Sequence, residues 1–319
     1  MNIFQVLGFK VSVRVVLAFI VVFLARAALA SGVECDDPNA AMRGTPDIEM
    51  DGFFMGARAC LYDPEFVSSD EVPVIGSDYG FSGSPIFVIN GANTTAEHND
   101  VRLRSIAIIK KRPVIGIFNA PTFNVVHELF KFVDKNNKPA MTLRREAFRR
   151  ISGGRRISVV GMSQSGFMVG RGLAQLSKDL HALYPFNFLR RRKLLKMVDV
   201  ETLGAIGIYY PNGPNYVHYV NKRDIVPNSS GVMARPAHPG RGSVIATFYY
   251  QNEDCVFGRL PLNEYPGENA ELSSDLPAIV SPSVHSLCSY SVTGMDFELM
   301  RDFAPRFGHA IVPLDVINP

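Results

Sequence analysis

The stretch 157–174, ISVVGMSQSGFMVGRGLA, constrains the fold of this chain more than any other. Residues 157–160 form a short, β-branched apolar run ending at a glycine, which predicts a buried strand. Residues 166–178 follow a helical pattern in which Gly166, Gly170 and Ala174 recur every four residues. One stripe of that helix is therefore nearly bare of side chains and can lie close against a neighbour, most simply a sheet. The six residues at the junction, Gly161-Met162-Ser163-Gln164-Ser165-Gly166, must make a very tight turn from strand to helix.

Three chemistries compete for such a turn. A dinucleotide turn needs a glycine where the backbone approaches a pyrophosphate, and here that position is Ser163. The next strand expected ends in Tyr209-Tyr210-Pro211, with no acid for a ribose. A phosphate loop needs Gly-Lys-Ser/Thr, which is absent. The third is a nucleophile elbow, where a serine on a strained bend presents its hydroxyl above the sheet. Its flanking positions must be tiny, and Gly161 and Ser165 fill them. Ser163 is thus the candidate nucleophile, with the following helix N-terminus suited to a developing negative charge. A structural serine-rich turn is the competing reading.

The first thirty residues read as a separate element. Lys10 and Arg14 lead into an apolar run, and Ala28-Leu29-Ala30 supplies a small-residue cleavage pattern, so 1–30 resembles a secretory signal peptide cut near Ala30. An uncleaved anchor is the alternative, although the run is short for a bilayer. Lys10, Arg14 and Arg26 give this segment a charge equal to the +3 of the whole chain, so the remainder is neutral. Nothing global then points to nucleic acid. Two local basic runs remain, 144–156 and 190–193. They read as solvated faces, with peripheral contact to acidic lipid headgroups as the sharper alternative. No obligate protein partner is implied. All four cysteines follow residue 30, an even number that in an exported chain predicts two disulfides, with proximity favouring Cys35–Cys60 and Cys255–Cys288. Their spacing matches no zinc site, and neither a metal nor a cofactor is expected.

Residues 31–78 look irregular, an N-terminal flap or short hairpin. From 85 onward strands and helices alternate: strands at 85–90, 113–119, 157–160, 203–210, 216–221 and 244–250, helices at 94–110, within 123–150, from 166, within 182–200 and near 296–306. This rhythm predicts an α/β catalytic domain over 79–319, with a mostly parallel central sheet covered by helices on both faces. The segment 251–284 has little periodicity.

A serine hydroxyl is inert until a base takes its proton, so the elbow demands a histidine and an orienting carboxylate. Asp224, in VNKRDIVP just past the strand 216–221, suits the carboxylate, and its plainer reading is a turn cap. Among seven histidines, His98, His127, His181 and His218 precede Asp224 within expected helices or strands. His238 lies in a loop, and His309 in RFGHAIVP is the runner-up. His285 in VHSLCSY is preferred, because it follows the last expected strand and a Cys255–Cys288 bridge would tether it. The oxyanion donors expected are the backbone N–H of Gln164 and that of Gly91 or Ala92, in the turn after the strand 85–90.

Taken together, GMSQSG after a strand, DIVP after a later strand, and VHSLCSY resemble the lipase/esterase branch of the α/β-hydrolase superfamily. The stretch VINGANTTAEHNDVRLRSIAIIKKRPVIGIFNAPT is similar to the N-G start and strand–helix–strand unit of its exported bacterial members. The resemblance spans 85–319 and departs at Met162, commonly His, and at Ser165, commonly Gly. It implies a Ser163–His285–Asp224 triad that cleaves acyl esters or lipids without a metal. An acyltransferase using the same triad, and a non-catalytic exported binding protein on that scaffold, are the alternatives.

Overall fold

Short apolar runs bounded by glycine, proline and asparagine become the strands of one sheet. The computed structural model describes residues 35, 40–41, 48–92, 94–122, 128, 131, 134, 137–249, 297–306 and 308–314. Its strands are β1 (Ala40–Ala41), β2 (Phe54–Met55), β3 (Leu61–Tyr62), β4 (Ile86–Ile89), β5 (Val114–Ile117), β6 (Ile157–Met162), β7 (Val198–Leu203), β8 (Asn215–Asn221), β9 (Ser243–Phe248) and β10 (His309–Pro313). They form one sheet in the order β1-β3-β2-β5-β4-β6-β7-β8-β9-β10. From β5 to β10 every neighbouring pair is parallel, while β2, β3 and β1 extend the β5 edge antiparallel. Part of the expected N-terminal flap is therefore sheet. It is pinned by the disulfide Cys35–Cys60, with a Cα–Cα distance of 5.9 Å.

Among the described residues six α-helices connect or flank these strands: α1 (Ala96–Lys110), α2 (Lys138–Ser152), α3 (Ser165–Leu183), α4 (Phe188–Leu195), α5 (Ile225–Ser230) and α6 (Phe297–Arg301). Both faces of the sheet are covered, which is why β4, β5, β7 and β9 are buried along their whole length rather than at alternate residues. Phe87, Ile89, Val159 and Val200 pack with Leu143, Ala147 and Ile151 of α2 and Leu173, Leu176 and Leu180 of α3. Ile86, Val88, Val160 and Leu203 pack on the other face with Leu103 and Ile106 of α1 and Met300 of α6. Burying each such side chain contributes about 1.5–3 kcal/mol.

Three local differences from the expectations have physical causes. The strand expected at 203–210 is β7, at Val198–Leu203, and 204–210 is a loop. Asp199 and Glu201 disguised it, because buried carboxylates are rare in strands. Each is paired, Asp199 with Arg156 at 2.7 Å and Glu201 with Lys110. The bare stripe of α3 faces that loop rather than the sheet. A Cβ on Gly166 would lie 2.4 Å from Ala205 Cβ, and one on Gly170 2.4 Å from the Tyr209 carbonyl oxygen. The final strand β10 is not among the expected strands, since its apolar run, 310–312, is short and ends at Pro313. It joins the edge of β9 with an alternating exposed and half-buried pattern.

Candidate active site

The sheet order reverses at β4. The chain leaves β4 towards β5 on one side, returns to β6 on the other, and leaves β6 towards β7. A crevice opens outside the carboxyl ends of parallel strands at such a switch point, and ligands of open α/β sheets bind there. Two of the singled-out residues flank it, Gly91 after β4 and Ser163 after β6.

Ser163 has φ +53°, in the left-handed region that a residue with a Cβ rarely enters. The surroundings hold it there. Its N–H continues the ladder to Leu203 O (3.1 Å), and its carbonyl accepts from Ile206 N (2.7 Å) and Gly166 N (3.2 Å). Gly161 is required on the near side, since a Cβ there would meet Val169 Cγ2 at 2.9 Å. Ser165 fills its slot actively. Its fully buried hydroxyl accepts from Met162 N (2.6 Å) and lies within donating reach of Ile89 O (2.7 Å) and Met162 O (2.9 Å). That hydroxyl clamps the bend to β4, which a glycine could not do.

Gly91 lies against the candidate nucleophile: a Cβ on it would be 3.0 Å from Ser163 Cβ and 3.6 Å from Ser163 Oγ. The turn that carries it is set by side chains. Its carbonyl receives Asn90 Nδ2 (3.0 Å) and Thr94 Oγ1 (3.3 Å), and Thr94 Oγ1 in turn accepts from Arg102 (2.8 Å). Ala92 follows within the same turn, and its carbonyl lies within reach of the same Thr94 hydroxyl proton (3.2 Å). Gln164 opens α3, where backbone donors lack helical acceptors.

Beneath the turn lies a buried polar network that the sequence did not reveal. Gln164, itself buried, donates through Nε2 to Glu128 Oε2 (2.7 Å) and accepts at Oε1 from Asn119 Nδ2 (2.8 Å). Asn119 exchanges backbone and side-chain bonds with Asn90, each 2.8 Å. Lys131 Nζ donates to Asn119 Oδ1 (2.8 Å) and to the Ala120 carbonyl, with Glu128 at 3.4 Å and Asp51 at 3.8 Å. Burial raises Asp51 to about 6, against the pull of Lys131 and the Ala120 N–H. The only sequence signal for this cluster was Glu128 and Lys131 at i,i+3 in a helical segment, which surface ion pairs share.

Asp224 is buried after β8 and caps α5, its Oδ1 accepting from Val226 N at 2.9 Å. Its helix is stitched to the Ser163 turn through the 204–207 loop, by Gly207 N to Ser230 O (3.0 Å) and Ile206 N to Ser163 O. The cap that Asp224 supplies is that of a helix N-terminus rather than of the strand turn. His285, the preferred base, lies outside the described residues, as do His127, Cys255 and Cys288.

The runner-up His309 is displaced from the site by topology. It opens β10 in register with Ser243, the first residue of the parallel strand β9, and so sits at the amino end of the sheet. Ser163 sits at the carboxyl end. Three of the other described histidines are engaged elsewhere. His218 is fully buried between Thr202 Oγ1 (2.8 Å) and the Pro239 carbonyl (2.9 Å), and burial pulls it down to about 4. His238 bonds the Tyr210 carbonyl (2.9 Å) and stacks on Tyr209. His98 is exposed on the first turn of α1, and His181 contacts Arg191.

Among the described residues no group of three or more His, Cys, Asp or Glu side chains could hold a metal ion. A cleft of about 820 Å³ opens beside α2, lined by residues including Asp51, Asp63, Met141 and Arg144, and shares none with the Ser163 turn. No protein-family model, curated protein or solved structure matches this chain. The class that fold and site define is therefore an α/β protein with a mostly parallel mixed sheet and a strained serine at its switch point.

Proposed function

We propose that this protein is a serine hydrolase, and more particularly an exported esterase or lipase that cleaves acyl esters at Ser163. The observation that carries this reading is the φ of +53° at a non-glycine residue between a parallel strand and a helix, with Gly91 packed on its side chain. Strain of this kind persists only where the surroundings over-determine it, and it is concentrated at reactive positions. In the proposed cycle Ser163 Oγ attacks the acyl carbonyl carbon while His285 accepts the hydroxyl proton. Asp224 orients the imidazole and stabilises its charged form. The N–H groups of Gln164 and of Gly91 or Ala92 receive the oxyanion, assisted by the positive end of α3. Collapse expels the alcohol with the proton from His285, and water activated by the same histidine then releases the acid.

The acyl assignment is supported by exposed apolar side chains in the segments after β7 and β8: Ile208, Tyr209 and Ile225. The Cys35–Cys60 disulfide is compatible with export. The reading is tested with a fluorophosphonate probe, which esterifies activated serines. Labelling of the wild type that is lost in Ser163→Ala and reduced at least about a thousandfold in rate in His285→Ala is expected. Labelling that survives Ser163→Ala would rule the serine out, and none in the wild type would favour a binding protein.

A further inference from the structure

We propose that the corner between α3 and α4 is a docking surface for a bilayer containing anionic lipid, at the end of the molecule opposite Ser163. Of the fourteen large apolar side chains exposed among the described residues, four lie within 183–189: Leu183, Phe186, Phe188 and Leu189. Phe186 is 100% exposed and Leu189 75%. The corner is held in place. Arg191 donates to the carbonyls of Tyr184 (3.1 Å) and Pro185 (2.9 Å), Asn187 Oδ1 accepts from Arg190 N (3.0 Å), and the Arg190 guanidinium lies 4.3 Å over the Tyr184 ring. Apolar side chains are therefore presented to water by an ordered backbone, at a place where folding gains nothing from them.

Charge identifies the occupant. Between 180 and 198 the chain carries Arg190, Arg191, Arg192, Lys193 and Lys196 and no acid. The nearest acids on either side are already neutralised, Asp179 by Arg144 and Asp199 by Arg156. Partial burial, and next the Arg192 guanidinium, push the Lys196 ammonium down. Aromatic and aliphatic side chains for the acyl boundary, followed directly along the chain by cations for phosphate headgroups, suit an anionic bilayer surface. An acidic protein would match the cations but would leave Phe186 and Leu189 unfilled without a groove of its own.

The orientation follows from α3. Its nineteen residues separate the corner from Ser163 by about 28 Å at the rise of an α-helix. The bilayer is then a mooring, and the Ser163 crevice opens away from it.

The chain has no tryptophan, so one can be introduced as a local reporter in the full-length protein. In Phe186→Trp, emission should shift to the blue and be quenched by brominated lipid on phosphatidylcholine–phosphatidylglycerol vesicles, reversibly with salt, and not on phosphatidylcholine alone. Adding Arg192→Glu and Lys193→Glu should weaken that response about tenfold or more. Tyr249→Trp, beyond β9 at the Ser163 end, should stay silent. The proposal fails if Phe186→Trp emission is unmoved, if neutral vesicles act equally, or if Tyr249→Trp responds instead. A shift with protein concentration alone would assign the corner to a second copy. None of these readings depends on hydrolysis, so failure here leaves Ser163 untouched.

Discussion

The two ends of α3 are built to opposite rules. At its amino end every position is constrained: Gly166 has no room for a methyl group, Ser165 is fully buried, and Ser163 is held at positive φ by hydrogen bonds to β7, the loop after it and the first turn of α3. At its carboxyl end Leu183, Phe186 and Leu189 stand in solvent on a backbone that is equally well tied. Strain needs tight surroundings to persist, whereas a docking surface needs only a firm base. The contrast separates residues that the fold cannot change from residues that it does not use.

Substitutions should expose that contrast, most strongly at the amino end. Gly166→Ala places a methyl group against Ala205 Cβ, the Ile206 carbonyl and the Tyr210 hydroxyl. Overpacking there should cost about 3 kcal/mol in a denaturant titration, and a loss below about 1 kcal/mol would mean that the 204–210 loop yields.

The polar network under the turn gives a pH signature. Asp51 ionises near 3.8 when unfolded and near 6 when folded, so its charged form is disfavoured by folding. Stability should therefore fall as pH rises from about 4 to about 6 and remain lower above, by up to about 3 kcal/mol. Asp51→Asn keeps an acceptor for Ala120 N and lacks the charge. It should match the wild type near pH 4 and exceed it at pH 7.5 in thermal unfolding. A difference independent of pH would show that Asp51 is not the titrating group.

Ser163→Gly should relieve the left-handed strain and raise stability by about 1 kcal/mol while abolishing probe labelling. Equal stability in Ser163→Gly and wild type would mean that the bend stores no strain. At the carboxyl end, Phe186→Ser with Leu189→Ser should change stability by less than about 0.5 kcal/mol. A larger loss would show that these side chains pack in solution and are not a free surface.

Much of this architecture was legible because it rests on local pattern. Short β-branched runs alternating with helices located β4, β5, β6, β8 and β9, and the small residues around Ser163 marked the bend. What sequence concealed was produced by pairing at a distance. Asp199 and Glu201 look wrong for a buried strand until Arg156 and Lys110 arrive from other elements. Ser165 looks like a tolerated substitute for glycine until its hydroxyl meets the Ile89 carbonyl, seventy-six residues earlier.

The chain by itself determined the α/β class, because strand and helix periods are properties of neighbouring residues. It also determined where a strained serine could stand, because only tiny neighbours permit that bend. Tertiary structure alone decided that β10 carries His309 to the end of the sheet remote from Ser163, and that Asn119, Glu128 and Lys131 converge beneath Gln164. Those outcomes depend on which strands lie side by side and in which direction. Long-range burial and hydrogen bonding set that order, and no local stretch of sequence encodes it.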